Sequence, residues 1–61
     1  MTKKDYELIA GAIKSEYDGM QRLDRIYVRE GVFHAARAIA YALASDNPRF
    51  DRDKFLAACG V

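Results

Sequence analysis

Two sets of side chains in this chain could do chemistry. His34 and Cys59 are its single histidine and single cysteine. A catalytic thiol needs a base to take its proton, and histidine is the usual one. One imidazole and one thiol could also start a zinc site, but a closed tetrahedral shell needs carboxylates from elsewhere in the chain. Neither arrangement is specified by the spacing. The more economical reading makes Cys59 a small buried apolar group and His34 a partly exposed residue beside an apolar stripe. No glycine-rich phosphate loop, paired-carboxylate site or nucleophile elbow is present. The expectation is a protein with no catalytic residues, no metal and no cofactor.

Arg22, Arg25 and Arg29 form the second set. At i, i+3 and i+7 they line up along one face of a helix. Such a stripe could meet phosphates or an acidic protein partner, with Tyr27 beside it as a further partner-binding candidate. It could equally be a solvated face, because Asp18, Asp24 and Glu30 lie within four residues of the arginines. A net charge of +1 gives no general attraction to nucleic acid or to anionic lipid.

Positioning any of these residues falls to helices. Thr2 and Asp5 have the spacing of a capping box. Tyr6, Ile9, Ala10, Ile13 and Tyr17 then recur at helical spacing, and Leu8 and Ala12 widen the apolar face. Asp18-Gly19 marks a turn. A second, longer helix follows. Val28, Val32, Ala36, Ile39 and Leu43 form one stripe in it, flanked by Phe33, Ala35 and Ala40, and the alanine-rich run from Ala35 to Ala44 permits close approach of another helix.

The first half of that second helix disagrees with its second half. At 100° per residue, the three arginines fall on the side that later carries Ala36 and Leu43, while Met20, Leu23 and Tyr27 point away. Either the helix breaks near Glu30-Gly31, or its halves face different neighbours. Gly11 and Gly19 argue against a single helix running from the N-terminus through the turn.

The closing segment is the most strongly punctuated. Pro48 pushes the residue before it out of helical conformation, so the second helix should end by about Ser45. Asp51 is placed to cap a short third helix. Phe50 and Phe55 are its hydrophobic staple, and Gly60 its stop. Leu56 and Cys59 share the face of Phe55. A helix this short is marginal alone and must dock its apolar face. Thr2, Pro48, Phe50, Asp51, Phe55, Leu56 and Gly60 are therefore structural residues.

These readings define an all-α fold, a single helical domain over residues 1–61 with helices at about 3–17, 20–45 and 51–59. Two longer helices make a hairpin, which the third closes. Sixty-one residues lie near the lower limit for independent folding. A lone cysteine allows no disulfide within the chain, which leaves regular helix packing or self-association. No apolar run approaches the roughly 20 residues of a membrane span. No signal-peptide pattern opens the chain, so the cytoplasm is the expected compartment.

The opening TKKDYELIA and the closing DNPRFDRDKFLAACGV resemble the two ends of a group of small proteins encoded in phage and prophage genomes. The tail pattern is NPRF-D-x-x-x-FLAACG. The likeness covers about two-fifths of the chain, roughly the first nine and the last sixteen residues. It implies a mobile-element origin, a helical fold and action in the host cytoplasm. It carries over no activity and no functional residue.

Minimal core, wide apolar faces, four tyrosines (Tyr6, Tyr17, Tyr27 and Tyr41) and no catalytic set point one way. The expected function is a non-enzymatic interaction module that forms homo-oligomers and binds a host protein, with no membrane contact. The alternative is a nucleic-acid-binding accessory protein that uses the arginine stripe.

Overall fold

The computed structural model describes all residues 1–61 as three helices and no strand: α1 (Lys3–Asp18), α2 (Arg22–Asp46) and α3 (Arg52–Cys59). The all-α architecture matches the sequence reading, with α2 starting two residues later and ending one residue later than expected. Met20 belongs to the turn between α1 and α2, where it is half-buried.

Each start has a local cause. At α1 the Thr2 hydroxyl accepts from the Asp5 N–H, and the Thr2 N–H donates to the Asp5 carboxylate at 2.8 Å. That second bond holds the Asp5 carboxyl below the ordinary carboxylate range. Its contribution is therefore present above the unfolded pKa and lost as pH falls through the lower folded one. The α1 helix ends where the Gly19 N–H reaches the Ser15 carbonyl at 3.0 Å. Gly19 has φ −76°, so the turn does not depend on glycine's access to the left-handed region. Gln21 caps α2 with no side-chain hydrogen bond. A bond from the Tyr17 hydroxyl to the Arg25 carbonyl, at 3.2 Å, ties the end of α1 to the first turn of α2.

The α2 helix runs unbroken through Gly31. Of the two options left by its conflicting faces, the second holds: its halves face different surroundings. Ala36 and Ala40, in the second half, are fully buried. Leu23, Ile26 and Tyr27, in the first, are exposed. One central glycine costs about 1 kcal/mol relative to alanine, which the alanine-rich run beyond it offsets.

The link to α3 follows the expected punctuation. Asn47 is extended ahead of Pro48 and leads a turn closed by the Phe50 N–H on the Asn47 carbonyl, at 2.9 Å. The Asn47 side-chain oxygen accepts from the Arg49 N–H. Asp51 accepts from the Lys54 N–H at 3.0 Å, and Phe50 and Phe55 pack with ring centroids 5.5 Å apart. Gly60 ends the helix at φ +73°, a conformation that strains other L-residues. A Cβ there would also lie 3.1 Å from the Lys14 side chain.

Ala10, Ala36, Ala40, Phe55 and Cys59 are the whole fully buried core. Half-buried Tyr6, Ile9, Ile13, Leu43, Phe50 and Leu56 surround them. The α3 helix packs extensively on α1 and also on α2, whereas the two long helices touch each other little. The hairpin is thus closed by its third helix rather than by its own packing. The molecule measures 36 × 19 × 13 Å. Its long dimension is close to the length of α2, about 37 Å for 25 residues.

Removing the α3 cap with Asp51→Ala should lower stability by about 1 kcal/mol and Tm by roughly 4–8 °C. Phe55→Ala should cost about 3–5 kcal/mol, enough to leave much of a chain this small unfolded. Circular dichroism melts of the two variants check both values.

Candidate interaction surface

The fold separates the two residues that could have made a nucleophile and base. Cys59 is fully buried in the core between α3 and the alanines of α2. His34 is exposed on α2, with its Nε2 3.6 Å from Glu30 Oε1. Burial pushes the Cys59 thiol above its ordinary pKa, the opposite of what a nucleophile requires. No group of three or more His, Cys, Asp or Glu side chains is placed to hold a metal ion. No helix is long and apolar enough to cross a membrane.

A groove of about 570 Å³ runs between α1 and α3. Tyr6, Phe50 and Phe55 form its floor, and Lys3, Glu7 and Lys54 lie along its rim. The Tyr6 and Phe50 rings meet edge to face at 4.6 Å, and the Tyr6 hydroxyl accepts from the Asn47 amide. These contacts account for the aromatic floor as packing that seats α3. The rim mixes both signs and selects no ligand charge.

Arg22, Arg25 and Arg29 stand on one side of α2, as the spacing requires, with Arg25 half-buried and the other two exposed. None of them lies within ion-pair distance of a carboxylate. The ion pair of the structure is Lys14 with Asp18, and Glu30 lies beside the His34 ring. The nearby Asp18, Asp24 and Glu30 thus leave the three guanidinium groups unneutralised by direct contact.

The larger surface feature is apolar. Leu23 is 67% exposed, Ile26 61% and Tyr27 83%. Phe33 and Tyr41 extend the same side of α2 toward its C-terminal half, each more than a third exposed. The Arg52 guanidinium sits 4.6 Å from the centre of the Tyr41 ring, and that of Arg37 5.4 Å. Beside Ile26 and Phe33, the terminal Val61 comes close enough to form a shallow cleft with Arg29 and Glu30. Of the apolar residues on this side the sequence singled out Tyr27, Tyr41 and the orientation of Leu23. Ile26 and Phe33 were missed as surface residues, although their 100° positions place both beside the core stripe rather than on it.

No family model, curated protein or solved structure matches this chain. The class that the structure defines is a small three-helix protein with a minimal core and an uncovered apolar flank.

The burial of Cys59 sets its reactivity. Its reaction with a disulfide reagent in the native protein should be far slower than that of an unfolded control, and denaturant should remove the difference. The sign of the pH effect follows from the raised pKa. The folded thiol holds its proton where the unfolded one has released it, so stability falls as pH rises above the unfolded thiol's pKa. Cys59→Ala should flatten that alkaline loss, as read from urea melts at increasing pH.

Proposed function

We propose that this protein works by binding other protein chains, its own copies among them, and not by catalysis. The observation that carries the reading is the pairing of a five-residue core with large exposed apolar side chains on α2. Monomers seldom leave contiguous apolar side chains of this size in water unless the patch has a partner. Tyrosine suits such a surface, because its ring buries area while its hydroxyl stays wet. Self-association also relieves the marginality of a small chain, since binding between folded subunits adds to apparent stability.

The likeness of both chain ends to phage-encoded proteins extends the reading to a mobile-element product that acts in the host cytoplasm on a host protein. That part is tested by capture from host cells, with wild-type protein and a variant whose α2 flank is made polar as paired baits. A host protein held by the first and not by the second supports it. Identical captures would remove it.

Sedimentation and thermal melting from about 1 to about 100 μM test the self-association, with Tm expected to rise with concentration. A well-folded monomer whose melting does not change with concentration would sink that half of the reading.

The unpaired state of Arg22, Arg25 and Arg29 favours a second reading, nucleic-acid binding. It requires an affinity that falls steeply with salt and is abolished by Arg25→Glu. Absence of binding to DNA and RNA at low salt would exclude it.

A further inference from the structure

We infer that the partner on the α2 flank is a second copy of this chain, lying antiparallel across a two-fold axis beside Phe33 and His34. The inference rests on the self-association proposed above and specifies its surface and direction. Three observations carry it.

The first is area. A compact monomer of this mass exposes about 4,000 Å². This chain exposes 4665 Å² at 6.9 kDa. The excess is roughly 670 Å², close to the roughly 800 Å² that each partner contributes to a standard protein interface.

The second is spacing. Leu23, Ile26, Glu30, Phe33 and Arg37 follow one another at alternating steps of three and four residues. That is the seam along which two helices pack side by side. All five are exposed; α3 reaches this side of α2 with Arg52, over Tyr41 at its far end. From Leu23 to Tyr41 the seam runs for about 27 Å. Ala40, the next position in the same register, is fully buried in the chain's own core. The seam therefore passes over to Tyr41 at its far end.

The third is charge. The seam carries one acid, Glu30, and one base, Arg37, two turns apart. Two parallel copies would stack Glu30 on Glu30 and Arg37 on Arg37, both repulsive. Two antiparallel copies related by a two-fold axis between positions 33 and 34 set Glu30 of each against Arg37 of the partner subunit. A two-fold interface makes every such contact twice. The same register brings the two Phe33 rings together at the axis and lays Ile26 beside Tyr41 of the partner subunit.

The test is sedimentation equilibrium on the full chain and three variants, with circular dichroism to confirm that each is helical. Ile26→Asp should leave a folded monomer. Glu30→Lys should raise the dimer Kd roughly ten-fold, because both symmetric contacts become repulsive. Glu30→Lys combined with Arg37→Glu should restore the Kd to near the wild-type value.

A wild-type chain that stays monomeric at about 100 μM overturns this inference and the self-association with it. A wild-type dimer that Ile26→Asp leaves intact overturns the surface but not the self-association. If Glu30→Lys has no effect, or the charge swap brings no rescue, the antiparallel register is wrong and the surface stands.

Discussion

The structure depends on the seating of a single eight-residue helix. The α3 helix places Phe55 and Cys59 against Ala10, Ala36 and Ala40, and those five residues are all that the fold buries completely. The alanines matter because they are small. They let α3 approach the backbones of α1 and α2 closely enough for one phenylalanine ring to fill the space between them. The two long helices have little direct contact, so their relative placement is inherited from the helix that both touch. This explains why so much of α2 is left uncovered: α3 is shorter than α2 by seventeen residues and reaches only its second half.

How much of this was legible in the sequence depended on how local the cause was. The capping box at Thr2 and Asp5, the Asp51 cap, the Phe50–Phe55 staple and the Gly60 stop act within a few residues, and each was readable from spacing alone. The end of α2 was nearly so, because the constraint of Pro48 falls on Asn47 and allows one more helical residue than expected. Continuity through Gly31 was not legible. Whether a mid-helix glycine breaks the chain depends on what the flanking turns pack against, and that is set by residues more than fifteen positions away.

The functional side was less readable for the same reason. Periodicity identified Ala36 and Leu43 as one face of α2 and showed that Leu23 pointed elsewhere. It did not say which face would find a neighbour within the chain. Val28 and Ile39 read as core from their spacing, yet both are more than a third exposed: Val28 lies in the half of α2 that α3 does not reach, and Ile39 is turned off the side that carries Ala36 and Ala40. Ile26 drew no notice, and Phe33 counted as a flank of the stripe, for the converse reason: an apolar residue beside a core stripe looks like its margin until the neighbouring helix stops short. The arginines appeared as a charged stripe in sequence and are one in the fold, with the added fact that none is matched to a carboxylate.

The position of α3 along the chain has a consequence for biosynthesis. During translation both long helices emerge before the helix that joins them, and Phe55 must close on Ala10 across forty-four intervening residues. Until then the chain has no core, only amphipathic helices with their apolar faces open. A premature stop or frameshift upstream of Phe55 would not yield a shortened protein with part of the fold. It would yield a chain with nothing to fold around.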